Sequence, residues 1–268
     1  MQLLKLYSTD KQIFITREKV GSRYILSSFN EPNIYNFELS DDFKSIAPSH
    51  GLPITDKVNE IVKDFELAIN KKSKKDIVIF YRKPNEKLKS GIIQDFYSIF
   101  NEDSGNTFLV KLIFKHLNAS DEVQRFVLDN SYHIRFMDVD EIPEKVLDFY
   151  KSALVLYLEH MSTNGFNDTH CGNYLYILYP LIFGNLLDTN KLILCDLDMC
   201  DADELFESLN MNPVKESRSS NNEFKNLLHD ILENNTIFRT RFDSKIESEL
   251  IMYNMIKLHE RNFKNKSQ

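Results

Sequence analysis

Cysteine is scarce: Cys171, Cys195 and Cys200 are the full set in 268 residues. An odd and sparse set builds no disulfide framework, so the chain reads as one made for a reducing compartment, the cytoplasm. Cys195 and Cys200 have no second ligand pair at zinc spacing, which argues against a zinc site, and no metal is expected. Long apolar runs are missing too. The N-terminal MQLLKLYSTDKQ lacks the apolar core of a signal peptide. The most apolar stretch, Tyr174 to Leu187, is too short for a bilayer and is interrupted by Pro180 and Gly184. It reads as a buried helix, and the chain as soluble with no membrane span. Nor is there an excess of basic charge. A net charge of -7 argues against a general nucleic-acid binder, whose footprint is basic, and leaves room for a local basic pocket. The pattern G-x-x-x-x-G-K-[ST] occurs nowhere, so ATP or GTP hydrolysis of the usual kind has little support. No internal repeat or low-complexity block is visible.

What is present is core material. Hydrophobic residues make up 42% and aromatics 12%, enough for a sizeable core and against global disorder. The length suits one domain over residues 1–268. Gln12 to Thr16 is a β-rich run, and Asn33 to Leu39 alternates weakly as a second strand. Asp76 to Tyr81 (DIVIFY) is a continuous apolar run flanked by charge, the pattern of a buried parallel strand. Lys191 to Cys195 (KLILC) reads the same way. Helices are expected at Arg23 to Phe29, Asp56 to Asn70, from Pro84 to Phe100, as two between Asn106 and Asp129, at Pro143 to Met161, and in the tail at Asn221 to Glu233 and Ser244 to Arg261. Strands separated by helices imply an α/β fold, three-layer α/β/α around a central parallel sheet, with a helix-rich C-terminal part.

Three segments carry chemistry. Lys19-Val20-Gly21-Ser22-Arg23 follows a predicted strand and precedes a predicted helix that opens with Tyr24. Glycine lets the backbone approach an anion closely, and amides at a helix start point at it. Ser22 adds a hydroxyl, and Lys19 and Arg23 add positive charge. A surface turn with incidental charge is the competing reading. The second segment is Arg82-Lys83-Pro84-Asn85-Glu86-Lys87-Leu88-Lys89-Ser90-Gly91. The strand end delivers Arg82 to the carboxyl edge of the sheet, where α/β proteins bind ligands. Its guanidinium can fork two hydrogen bonds onto a phosphate, and Ser90 lies near the second turn of the following helix. A solvated basic helix start would look similar. The third is Asn167-Asp168-Thr169-His170, in which His170 can act as a base near neutrality and Asp168 can orient it. A capping aspartate beside a structural histidine is the alternative. His50, Tyr132 and His133 could stand in for His170. Asp196 and Asp198 after KLILC resemble a magnesium-binding strand end, and helix capping together with Asp201 and Asp203 is favoured because no phosphate-loop partner exists.

R-x-P-x-x-K-x-x-S after an apolar strand resembles the 3′-phosphate element of the sulfotransferases that use 3′-phosphoadenosine 5′-phosphosulfate (PAPS). Arg82, Pro84 and Ser90 match in place, and Lys87 stands where the family usually has arginine. The KVGSR loop resembles the family's 5′-phosphosulfate loop, with Glu18 where many members have proline and Arg23 in place of the second hydroxyl residue. Asp168 and His170 look like the D-x-H segment of the carbohydrate-acting branch. The resemblance runs from residue 12 to about 250, with its dense motifs in a small part of that span. It implies a P-loop-like sulfotransferase fold with PAPS as co-substrate. Lys19, Val20, Gly21, Ser22, Arg23 and Tyr24 would lie at the phosphosulfate, and Arg82 and Ser90 at the 3′-phosphate. Lys19, His170 and Asp168 would be catalytic, and the acceptor would be a carbohydrate or other hydroxyl compound. It also suggests that Ser217 and Arg218, in the polar run Lys215 to Asn222, could touch the nucleotide. Two other classes compete: a magnesium-dependent nucleotide phosphotransferase using Asp196 or Asp198, and a sulfotransferase-like binding protein without turnover.

Overall fold

A computed structural model describes residues 2–17, 20, 28, 35–101, 107–131, 133–164, 175–184, 186–188, 191–198, 207–209, 211 and 223–264. They gather into two compact units. The first draws on Met1–Lys87, Asn173–Arg218 and Ser248–Gln268, the second on Leu88–Gly172 and Ser219–Glu247.

The first unit is α/β. Its six strands are β1 (Gln2–Ser8), β2 (Gln12–Thr16), β3 (Tyr35–Leu39), β4 (Ile46–Pro48), β5 (Asp76–Tyr81) and β6 (Leu192–Asp196), in the sheet order β4-β3-β1-β2-β5-β6. β5 lies between β2 and β6 and runs parallel to both, with Ile79 opposite Ile15 on one side and Leu194 on the other. All of β5 except Asp76 is buried, as its unbroken apolar run predicts. Each isoleucine removed from water there contributes about 1.5–3 kcal/mol.

The remaining pairings are antiparallel: β2 with β1, β1 with β3, and β3 with β4. The sheet is therefore mixed, and the expectation of a parallel sheet holds for β2, β5 and β6 only. The reason lies in a tight turn that follows β1, a strand the sequence pattern does not announce. β1 and β2 are joined by Thr9-Asp10-Lys11, where the Thr9 N–H donates to the Gln12 carbonyl at 2.9 Å and the Gln12 N–H donates to Thr9 Oγ1 at 3.0 Å. So short a connection permits only an antiparallel partner, because parallel strands need a crossover of about a dozen residues. β4 is equally silent in the sequence. It is three residues long and ends in Pro48, a residue tolerated on a sheet edge.

Helix α1 (Asp56–Ile69) is capped by Thr55, whose side chain accepts from the Val58 N–H, and buries Val58, Ile61, Phe65, Ala68 and Ile69. These share one core with Phe14, Ile77, Val78 and Phe80 of the sheet. At the edge where β1 ends, Ser8 donates to Asp64 Oδ2 at 2.5 Å, and Lys75 Nζ reaches the same oxygen at 2.6 Å, tying α1 to the sheet. The apolar stretch read as a buried helix forms a helix over Leu175–Phe183 with Pro180 inside it, buried at Leu175, Ile177, Leu178, Leu181 and Ile182 and exposed at Tyr176 and Tyr179.

The second unit is helical. Helix α2 (Pro84–Ile99) starts with proline in its first turn, where a missing N–H costs nothing. There follow α3 (Thr107–His116), α4 (Asp121–Asp129, capped by Ser120) and α5 (Glu144–Asn164); α6 is the Leu175–Phe183 helix of the first unit, and α7 (Glu223–Asn234) belongs to the second. The last helix, α8 (Thr236–Lys264), starts well before the expected Ser244, and from Ser248 onward it belongs to the first unit. The second unit's core is aromatic. Phe96 meets Phe100 and Tyr150 edge to face, with ring centroids 5.5 and 6.0 Å apart, and Tyr150 meets Phe224 at 5.4 Å. Burial raises the Tyr150 pKa well above the ordinary tyrosine range. The expected helix at Arg23 to Phe29 lies outside the described residues except for Ser28, which is helical. Among the described residues no helix is long and apolar enough to cross a membrane.

Buried Lys89 donates to the half-exposed Glu233, and this bond and the charge behind it lower the Glu233 pKa from its ordinary 4.5. A depressed carboxylate pKa stabilises the fold above the ordinary value, and that stability is lost as pH falls through the lowered one. Glu233→Gln is expected to lower stability by about 0.5–1 kcal/mol at pH 7. In urea unfolding, the gap to the parent chain should close as the pH drops below 4.5. A gap that stays constant with pH would contradict this.

Candidate functional site

Strands β2, β5 and β6 run in one direction, so their carboxyl ends share one edge of the first unit, the position at which open α/β sheets bind ligands. β2 ends in Thr16. The chain then turns at once: Arg17 bridges to Val20, and the Val20 N–H donates to the Arg17 carbonyl at 3.1 Å. Thr16 Oγ1 donates to the Val20 carbonyl and closes the turn. Val20 is fully buried, and Arg17 nearly so. Val20 of the glycine-containing loop is thus held against the strand that precedes it.

β5 ends in Tyr81, and Arg82 and Lys83 follow. Arg82 Nε donates to Asp198 Oδ1 at 2.8 Å, and the Lys83 N–H donates to Asp198 Oδ2 at 2.6 Å. The Leu197 N–H donates to the Tyr81 carbonyl at 3.0 Å, extending the contact between β5 and β6 past the strand ends. A guanidinium has five N–H groups, and the Nε bond uses one of them.

β6 ends in Asp196, which is 1% exposed. A buried carboxylate is costly unless its oxygens are bonded. Here Oδ1 accepts the Asp198 N–H at 3.0 Å, while Oδ2 accepts the Tyr253 hydroxyl at 2.5 Å and Lys257 Nζ at 2.9 Å. Tyr253 and Lys257 stand one helical turn apart on α8, so a single face of that helix delivers both. Tyr253 also packs against Tyr81, with centroids 5.7 Å apart.

Of the residues predicted for the site, Arg82 is at this edge and Val20 is buried behind it. Ser90 lies in α2, half-buried, in the second unit. Lys19, Gly21, Ser22, Arg23 and Tyr24 lie outside the described residues, as do Asp168, His170, Tyr132, Ser217 and Arg218. Of the substitute bases, His50 is exposed beyond the end of β4, which runs against β3 and so finishes at the opposite edge; His133 is exposed in the second unit. The carboxylates of Asp196 and Asp198 hold Tyr253, Lys257, Arg82 and the Lys83 amide; the helix they were expected to cap with Asp201 and Asp203 begins outside the described residues. Arg17, Tyr253 and Lys257 are site residues that no sequence motif marks. The spacing of Tyr253 and Lys257 defines one helix face, yet nothing local to α8 says which carboxylate that face meets.

No family model matches this chain, and neither a curated protein nor a solved structure does.

Lys257 is the cation beside the buried Asp196, and its loss leaves that carboxylate under-compensated. Lys257→Met is expected to cost about 2–3 kcal/mol in urea unfolding. Lys257→Arg should retain most of the stability, and an unchanged midpoint in Lys257→Met would show that the pair does not hold the strand end.

Proposed function

We propose that the protein is a PAPS-dependent sulfotransferase acting on an acceptor hydroxyl, a carbohydrate being the favoured class. One observation carries the reading. The two segments that resemble the family's nucleotide elements follow β2 and β5, which are adjacent and parallel, so both segments leave the sheet at the same edge. Two phosphate-recognising elements serve one nucleotide only when they emerge together, and chance matches in a sequence have no reason to fall on neighbouring strands. The basic Arg82 at that edge is consistent with an anionic ligand. The three-layer, P-loop-like arrangement is part of this proposal.

In this reading the KVGSR loop receives the 5′-phosphosulfate. Lys19, Ser22 and Arg23 supply charge and a hydroxyl, the Gly21 and Tyr24 segment supplies backbone, and Val20 sets the turn, since its N–H is already bonded. Arg82 receives the 3′-phosphate. The acceptor oxygen attacks sulfur in line, a new S–O bond forms, and the S–O bond to the bridging phosphate oxygen breaks. His170, oriented by Asp168, takes the acceptor proton. Lys19 and Ser22 offset the charge that builds on the bridging oxygen, the electrostatic term that dominates transfer of charged groups. The products are the sulfated acceptor and adenosine 3′,5′-bisphosphate.

A magnesium-dependent phosphotransferase is less well supported. The Asp196 oxygen that would serve a divalent ion already accepts from Lys257 and Tyr253. For the reading without turnover no specific observation speaks.

The test is thermal unfolding with adenosine 3′,5′-bisphosphate in a chelator. A ligand that binds only the folded chain stabilises it by mass action, by about 2.7 kcal/mol at a hundredfold excess over Kd, and so raises its melting temperature. The rise is expected in the parent chain and lost in Arg82→Ala. Lys19→Ala should fold normally and lose sulfuryl transfer from PAPS. Stabilisation by ATP with magnesium alone would overturn the proposal.

A further inference from the structure

We propose that Asp198 is a positioning residue that presets Arg82 for a phosphate at the carboxyl edge of the sheet; the inference rests on the reading of Arg82 as the 3′-phosphate fork. The geometry is a clamp. One carboxylate grips two consecutive residues just beyond β5, accepting from Arg82 Nε at 2.8 Å and from the Lys83 N–H at 2.6 Å. Nε lies on the side of the guanidinium, so this bond leaves the two terminal nitrogens, a pair able to fork onto a phosphate.

The clamp is anchored from behind. The Asp198 N–H donates to Asp196 Oδ1 at 3.0 Å, and Asp196 is in turn held by Tyr253 and Lys257. The position of Arg82 is therefore set by a chain of bonds that begins on α8. The exposures of the pair give the direction of access. The Arg82 side chain is 28% exposed and that of Asp198 12%, so an incoming anion meets the cation first. Two effects oppose each other. The negative charge of Asp198 repels a phosphate, while its hold on Nε removes the rotamer freedom that a long side chain otherwise loses on binding. The carboxylate is the less exposed partner and both its oxygens are already bonded, so ordering outweighs repulsion.

The experiment compares two ligands, adenosine 3′,5′-bisphosphate and adenosine 5′-monophosphate, by calorimetric titration of the full chain. Asp198→Ala is the principal variant, with Arg82→Ala and the double variant completing a cycle. Asp198→Ser, whose side chain is too short to hold Nε, serves if the alanine variant does not fold. The parent chain should prefer the bisphosphate. Asp198→Ala should reduce that preference about three- to tenfold while binding the monophosphate as before, and the double variant should bind no worse than Arg82→Ala alone. Three results overturn the proposal. A retained preference in Asp198→Ala removes the positioning role and leaves the nucleotide reading intact. Equal weakening of both ligands makes Asp198 a structural residue only. A parent chain without preference for the 3′-phosphate removes the reading of Arg82, and the role of Asp198 with it.

Discussion

A strand buried along nearly its whole length has nowhere to place its polar backbone groups except on its neighbours, and β5 is that strand. DIVIFY offers apolar side chains to both faces of the sheet, and its N–H and C=O groups are paired by β2 and β6. Parallel pairing on both sides has a geometric consequence. Three strands point the same way, and the residues that follow them, Arg17, Arg82 and Asp198, come to one edge. The charged groups of the first unit's carboxyl edge are gathered there by the hydrogen bonding of this strand.

Charge at that edge is organised by the end of β6. Asp196 is buried and accepts three hydrogen bonds, two of them from helix residues 57 and 61 positions later in the chain. Asp198, two residues on, accepts from Arg82 and Lys83. A buried carboxylate with one unmet oxygen would destabilise the unit by several kcal/mol, roughly the cost of breaking a buried ion pair. The same bonds that avoid that cost hold the strand end, the Asp198 backbone and the arginine in a defined arrangement. Stability and site geometry are coupled through one short segment, Cys195 to Asp198.

The other side of the sheet is built differently. A tight turn after β1 makes its pairing antiparallel, and the sheet ends there in a three-residue strand that closes with Pro48, which blunts an edge that could otherwise recruit another strand. The second unit has its own aromatic core around Phe96 and Tyr150 and rests on edge-to-face ring packing instead of a sheet.

Period and run length in the sequence already determined most of the elements. The strands β5 and β6, the strand β2 at Gln12–Thr16, the proline-led α2 and the amphipathic α1 were legible because each signal is local: an apolar run between charges, a β-rich run, a helical spacing, a proline in a first turn. The position of Arg82 at a strand end was legible for the same reason. Other features depend on partners far along the chain. The antiparallel half of the sheet turned on Thr9, Asp10 and Lys11, whose turn gains meaning only once β1 is known to be a strand. That Asp196 binds Tyr253 and Lys257, and Asp198 binds Arg82, was decided by tertiary structure alone. A carboxylate takes whichever donors the fold brings within reach, and residue spacing says nothing about donors more than fifty positions away.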